Sequence, residues 1–338
     1  MDRWERYPEI TLERTIDQSS YQIINPFGGL IYIVVPSRFQ SSRPIELEIS
    51  GAVAAPYFIK NQTSSEDWKT LREAPAPWAE LQGDNVILTV PSAAVRKLEN
   101  PQELMETWDT ILDLIAEFSS TAKKRIRPER LCTDRQISAG YMHSGYPIMT
   151  GLDVQNDFVD SQKLKSKGNW GFFHELGHNH QSRDWTFDGS GEVTVNYFTL
   201  YVYDKFCGIA PEDSRKDLSP AIRKQKLSDY LRKGRRFDDW KEDPFLALNM
   251  TVQLQKEFGW NPFLQVIKEY QTAPKPQNDD EKRDLWLIRL SRATGRNLGH
   301  FFEFWGVPTS PKARDSLKGL PVWLPDECVE LSKNFPKS

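Results

Sequence analysis

The sequence of 338 residues has only three cysteines, Cys132, Cys207 and Cys328, and they lie far apart. None of them forms the C-x-x-C spacing of a zinc ribbon or of a thioredoxin-like redox site, so neither class of protein is indicated. Three separated cysteines suit buried thiols in a reducing compartment, and one disulfide plus a free thiol is the alternative. The cysteine spacing therefore does not indicate the function of this protein.

Long apolar runs are also missing, because no stretch reaches the roughly 18 apolar residues that a membrane span requires. Residues 1–6 are charged and no apolar segment follows them, so we predict no signal peptide. These absences favour a cytoplasmic or membrane-peripheral location, for an intracellular protein or for a domain cut from a longer one. The formal net charge of -3 has no strong sign, so we expect no nucleic-acid partner.

Aromatic residues make up 12% of the chain, including eleven tryptophans, which indicates a substantial core. Apolar runs and alternating patterns predict strands over 30–35, 44–50, 52–59 and 86–90. We interpret residues 1–95 as a β-rich, sandwich-like N-terminal subdomain. Helical spacing begins near residue 91 and dominates 96–338, so the predicted fold class is α+β.

The first long helix is predicted over residues 100–119. Asn100 and Pro101 are typical of the N-cap and first helical positions. Apolar residues recur at helical spacing behind them and form one stripe that we expect to be core: Leu104, Trp108, Ile111, Leu112, Ile115 and Phe118.

The most informative segment is His174-Glu175-Leu176-Gly177-His178, an H-E-x-x-H pattern. On a helix, two histidines four residues apart lie on the same face and can bind one metal ion. In this pattern the imidazoles bind Zn²⁺, and the glutamate acts as general base toward a water molecule. The alternative is that His174 and His178 are ordinary helix residues and that Glu175 is a solvated charge.

A catalytic zinc needs a third protein ligand, and three downstream carboxylates compete for that role: Asp184, Asp188 and Glu192. Asp184 has the metzincin spacing, but that pattern needs a glycine where this chain has Gln181. Glu192 is better placed, because a turn-forming run precedes it and a buried helix is predicted to begin there. His174, His178 and Glu192 would form the His₂Glu set of a gluzincin.

Asn196 lies one turn after Glu192 on the same predicted helix face. An amide at that position can hydrogen-bond a histidine ligand and fix its tautomer. We therefore predict that Asn196 supports the metal site without binding the metal.

The segment 168–200 resembles the peptidase M60 family of enhancin-like gluzincins, and the similarity extends to 141–149 and 301–308. Within that family the chain is similar to the M60-like region of the TRPM8 channel-associated factors. This resemblance implies a mainly helical, gluzincin-type zinc metallopeptidase domain over 96–338. It also implies that the chain is part of a longer protein.

The same resemblance implies a polypeptide or glycoprotein substrate, including mucin-like O-glycosylated proteins. It also implies that 141–149 forms an edge strand beside the cleft, where His143 and Tyr146 are candidate donors to the oxyanion. Packing within a tight loop is an equally open interpretation for both residues. The rival function is that of a regulatory module that binds an ion channel at the plasma membrane.

Overall fold

A computed structural model describes residues 7, 9–36, 38–40, 43–123 and 125–334. The charged residues 1–6, for which the sequence predicts no signal peptide, lie outside this part of the chain. Two compact units are present: Met1–Asp109 with Ile126–Ser161, and Thr110–Arg125 with Gln162–Ser338. Within the described residues, no helix combines the length and the apolar character needed to cross a bilayer.

The structure has six strands in the described residues: β1 (Tyr57–Ile59), β2 (Trp78–Gln82), β3 (Val86–Pro91), β4 (Glu129–Asp134), β5 (Met142–His143) and β6 (Ile148–Gly151). The α-helices of the same residues are α1 (Ser65–Leu71), α2 (Ser92–Val95), α3 (Pro101–Ser119), α4 (Gln155–Phe158), α5 (Ser161–Lys167), α6 (Trp170–His180), α7 (Gly191–Val202), α8 (Pro220–Arg232), α9 (Phe237–Glu242), α10 (Pro244–Phe258), α11 (Asn261–Tyr270), α12 (Asp279–Thr294), α13 (Gly299–Phe304), α14 (Pro311–Asp315) and α15 (Asp326–Asn334). Short 3-10 helices lie at Leu152–Val154, Pro211–Asp213 and Lys216–Leu218, and a π-helix at Tyr203–Cys207 extends α7.

The first unit contains one mixed sheet with the strand order β1-β2-β3-β4-β6-β5. Only β2–β3 and β5–β6 pair antiparallel; the other neighbours are parallel. A row of register partners crosses five strands with side chains at most 1% exposed: Phe58, Leu81, Leu88, Leu131 and Ile148. Because side chains alternate between the faces of a strand, this row places the sheet's apolar face in the core.

The predicted N-terminal β-sandwich is not confirmed. Strands form at 57–59 and 86–91, but the residues predicted as strands over 30–35 and 44–50 contain none. Their apolar side chains stay exposed, with Val34 at 78% and Ile45 at 56%, so no buried face stabilises a strand there. The sheet is instead completed by strands from 129–151. The subdomain division at residue 95 stays a prediction.

The predicted helix over 100–119 is confirmed as α3, which contributes to both units. The Glu103 backbone N–H donates to the Asn100 side-chain oxygen at 3.1 Å, as expected for an N-cap. Every residue of the predicted stripe is at most 1% exposed. The sequence pattern thus identified this helix and its buried face correctly.

The core of the second unit is aromatic and surrounds α7. The Phe198 ring lies 4.9 Å from Phe118 and 6.1 Å from Trp185, measured between ring centroids. The Trp286 indole N–H donates to the Trp185 carbonyl at 2.6 Å, which ties α12 to the loop between α6 and α7. These contacts fix the position of α7 and of the loop that joins it to α6.

Candidate metal centre

Helix α6 carries the two histidines of the H-E-x-x-H pattern. It begins at the N-cap residue Asn169, whose side-chain oxygen accepts the Phe172 backbone N–H at 3.1 Å. Phe172 and other apolar residues of this helix are fully buried. The His174 and His178 side chains stay 17% and 22% exposed, and their ring centroids lie 4.7 Å apart. The four-residue spacing therefore places both imidazoles on one partly open face, as predicted.

Gly177 allows α6 to pack very closely against α7. A Cβ atom at this position would lie 2.8 Å from the Val195 carbonyl oxygen and 3.3 Å from Phe198 Cβ. Both atoms belong to the neighbouring helix, so any larger residue would push the helices apart. This close contact brings Glu192, in the first turn of α7, opposite the two histidines.

The three predicted metal ligands meet at one point. His174 Nε2 lies 3.1 Å from one Glu192 carboxylate oxygen, and His178 Nε2 lies 3.5 Å from the other. One ligand atom from each residue can be chosen so that all three lie within 4.8 Å of one another. The Glu192 side chain is 56% exposed, so this cluster opens toward solvent. A bound ion would therefore keep a position accessible to water.

Each histidine is oriented by a side-chain amide. His174 Nδ1 lies 2.8 Å from the Asn196 side-chain oxygen, and His178 Nδ1 lies 3.4 Å from the Gln181 side-chain oxygen. An amide oxygen only accepts hydrogen bonds, so in both pairs the Nδ1–H donates. Each imidazole then directs its Nε2 at the Glu192 carboxylate, where a metal ion would take the place of the Nε2 proton. The Nδ1 partners fix the ring orientation that a metal ligand needs.

The electrostatics of the cluster favour positive charge. Hydrogen bonds from His174 and His178 hold the pKa of the Glu192 carboxyl far below its usual range. Burial opposes protonation of His174, but Glu192, Asn196 and Glu175 together outweigh burial and raise the pKa of that imidazole. A cation placed between these groups would meet the same attraction.

The competing carboxylates lie elsewhere. The Asp184 carboxylate is 3.6 Å from Lys275 Nζ, and the Asp188 carboxylate is 3.2 Å from Lys241 Nζ. Neither belongs to the metal-type cluster found in the described residues. Of the three candidates left open by the sequence, only Glu192 faces the histidines.

Glu175 is buried on α6, with 8% of its surface exposed. His143 and Tyr146 belong to the first unit, where His143 ends β5 at the edge of the sheet. His143 Nε2 lies 3.0 Å from Ser138 Oγ, and the Arg127 guanidinium lies 3.4 Å above the Tyr146 ring. Only the two residues Met142–His143 of the predicted edge strand over 141–149 form the outer strand of the sheet, and the oxyanion role of His143 and Tyr146 stays a prediction.

Gln181 is the site residue that the sequence analysis missed, because it was considered only as a departure from the metzincin glycine. Its position, three residues after the second histidine at the end of α6, was the available signal. An amide there can turn back toward that histidine.

The fold and the cluster are typical of a family of metallopeptidases, and comparison with known proteins identifies that family. The family model for peptidase M60, enhancin and enhancin-like, matches residues 51–306. The model for the N-terminal domain of M60-like peptidases matches residues 1–50. The chain therefore belongs to the peptidase M60 family.

Within this family the chain is similar to TRPM8 channel-associated factor 2 of Bos taurus, with 40% identity over 94% of this chain and 35% of the relative. It thus spans about a third of the length of that relative. A functionally unknown conserved protein from Bacillus anthracis str. Ames has a similar structure, with 26% identity, a TM-score of 0.68 and coverage of 81% and 58% of the two chains. The M60 catalytic domain of Clostridium perfringens ZmpC, solved with the sialyl T antigen, shares the fold at 15% identity, with a TM-score of 0.61 and coverage of 81% and 57%.

Proposed function

We propose that this chain is a zinc-dependent metallopeptidase that hydrolyses peptide bonds. The observation that carries the proposal is the convergence of one nitrogen from each imidazole and one carboxylate oxygen within 4.8 Å, open to solvent. Two histidines and one glutamate with a vacant fourth position are the ligand set of a catalytic zinc. Membership of the M60 family supports the same activity.

The donor atoms fit zinc in particular. Imidazole nitrogen combined with carboxylate oxygen suits Zn²⁺, whereas an all-oxygen set would suit magnesium or calcium. The amide partners of both Nδ1 atoms, Asn196 and Gln181, turn each Nε2 toward the point where the ion would bind. His174, His178 and Glu192 would hold the ion.

In the proposed mechanism, Glu175 is the general base. Bound zinc supplies Lewis acidity, which polarises a carbonyl and lowers the pKa of water. Glu175 accepts the proton of the attacking water and then donates it to the leaving amine. His143 and Tyr146 are the proposed hydrogen-bond donors to the oxyanion that develops on the substrate.

A polypeptide is the proposed substrate, and glycoproteins with mucin-type O-glycans are the first class to test. Support comes from the related fold of the ZmpC catalytic domain, which was solved with the sialyl T antigen. Similarity of fold is an analogy, so the glycan requirement is a separate hypothesis from peptide hydrolysis.

A second candidate function is the regulation of an ion channel at the plasma membrane. It is favoured by the 40% identity, over 94% of this chain, to a protein named TRPM8 channel-associated factor 2. In this function the domain would act as a binding module, with or without a bound metal.

The test compares the full chain with Glu175→Gln, which has the same shape but cannot act as a base. We expect about one zinc per chain by elemental analysis in both proteins, and cleavage of casein or of an O-glycosylated peptide by the unmodified chain alone. Loss of activity should be about 100-fold or more, since general-base catalysis contributes 10²–10⁴-fold. A zinc-loaded chain that cleaves neither substrate but retains TRPM8 in a binding assay would favour the regulatory function.

A further inference from the structure

Gln181 ends helix α6 and lies directly after the segment that carries the metal-type cluster. Its backbone N–H donates to the Gly177 carbonyl at 2.8 Å, while its own ψ of 137° turns the chain out of the helix. The side chain returns toward the helix face that carries His178. The residue is partly buried between the end of α6 and the start of α7.

The Gln181 amide contacts both helices. Its oxygen accepts from His178 Nδ1 at 3.4 Å, and its nitrogen donates to the Gly191 carbonyl at 2.7 Å and to the Thr194 hydroxyl. The Thr194 hydroxyl in turn donates to the Ser190 carbonyl at 3.1 Å, so a lone pair remains to accept from Gln181. A carbonyl oxygen cannot donate, which fixes which end of the amide faces Gly191.

The other candidate ligand, His174, has the same arrangement. Asn196 accepts from His174 Nδ1 at 2.8 Å and donates to the Glu192 carbonyl at 2.7 Å. Two amides therefore connect the two histidines to consecutive carbonyls, those of Gly191 and Glu192, in the first turn of α7. That turn also carries the Glu192 carboxylate.

We propose that Gln181 is a positioning residue for the metal centre. It holds the His178 ring with Nδ1 against the amide oxygen and Nε2 toward the Glu192 carboxylate, and it ties that ring to the turn that presents Glu192. This inference rests on the proposed zinc site, and it extends that site to a residue outside the H-E-x-x-H pattern. Only a side chain with an acceptor and a donor at its tip can make both connections.

The test measures zinc affinity by competition with a chromophoric chelator, together with the visible spectrum of the Co²⁺-substituted chain. Gln181→Met keeps the side-chain length but removes both polar atoms, and we expect a 10- to 100-fold loss of zinc affinity with an altered Co²⁺ spectrum. Gln181→Glu keeps an acceptor for His178 and loses the donor, so its affinity should lie between those of Gln181→Met and the unmodified chain. Gln265→Met, at an exposed glutamine on α11, is the matched control and should bind zinc normally.

Equal zinc affinity in Gln181→Met and the unmodified chain would overturn the inference. An equal fall in melting temperature for the metal-free and zinc-loaded forms would then show that Gln181 acts only as a helix cap. If Gln181→Met does not fold, Thr194→Val removes one anchor of the amide and leaves its contact with His178. That variant should show a smaller loss of zinc affinity, and unchanged affinity would contradict the proposal. An unmodified chain that binds no zinc would overturn the proposed function itself, a result distinct from a zinc-binding chain that is indifferent to Gln181.

Discussion

Residues 30–50 and helix α7 are both rich in apolar side chains, yet only α7 buries them. Val34 and Ile45 are 78% and 56% exposed, whereas Val195 and Phe198 are 0% exposed. Helix α7 packs against α6 at Gly177 and against an aromatic core. In the described residues, 30–50 has neither a strand nor a helix.

The difference shows that an apolar pattern predicts an element only where a second surface receives it. A strand is stabilised by pairing and by a buried face, and 30–35 has neither. Helix α7 has a complementary surface on several sides, so its position and that of Glu192 are well determined. The candidate metal cluster lies on a closely packed helix pair, as precise ligand geometry requires.

The largest expected effect on stability is in helix α7, the buried member of this comparison. Phe198→Ala should lower the free energy of unfolding by about 3–5 kcal/mol, because it removes a fully buried ring that contacts Phe118 and Trp185. Urea denaturation followed by tryptophan fluorescence measures this change. Phe27→Ala, at a ring that is 49% exposed, is the control and should change stability little. Equal losses of stability in the two variants would contradict the difference in packing between the two regions.

The next effect concerns metal binding and not stability. Glu192→Ala should lower zinc affinity by more than about 100-fold, since it removes a direct ligand and loss of a supporting residue alone costs 10–100-fold. Stability without metal should change little, because the side chain is 56% exposed. Titration calorimetry with Zn²⁺ measures the affinity. Asp188→Ala and Asp184→Ala test the rival ligands, and a greater loss in either one would show that Glu192 is the wrong choice.

Gly177→Ala tests the close approach of the helices. The new methyl group would lie 2.8 Å from the Val195 carbonyl oxygen, so α6 and α7 must separate. We expect a loss of about 1–3 kcal/mol in stability, accompanied by weaker zinc binding. Gly191→Ala is the matched control, because a Cβ there meets nothing within 4 Å. A variant as stable as the control would mean that the helix pair tolerates the separation.

The sequence predicted the centre of the site because its signals are local. The four-residue spacing of His174 and His178 needs only a helix, and the turn before Glu192 places a new helix start near them. Asn196 followed from the same periodicity. These predictions depend on neighbouring residues along the chain, and helix geometry is the same in every protein.

The parts that the sequence did not predict depend on tertiary structure. The role of Gln181 requires the distance from the end of α6 to the first turn of α7, which Gly177 sets through packing. The β-sandwich was inferred from alternation over 44–50, but whether such a segment pairs depends on which other strands are available. An edge strand was expected over 141–149, but the places of β4, β5 and β6 in the sheet depend on pairing partners that are remote in the sequence.

The smallest expected effect on stability is in residues 30–50, the exposed member of the comparison. Val34→Ser replaces a side chain that is 78% exposed, so it should change the free energy of unfolding by no more than about 0.5 kcal/mol. Ile45→Ser, at 56% exposure, should behave in the same way. Urea denaturation of both variants measures stability, and amide hydrogen exchange over 30–50 should be fast, because no strand pairing protects these backbone groups. A loss above about 1 kcal/mol together with slow exchange would mean that this segment packs in solution, and would revive the N-terminal sandwich that the sequence pattern predicts.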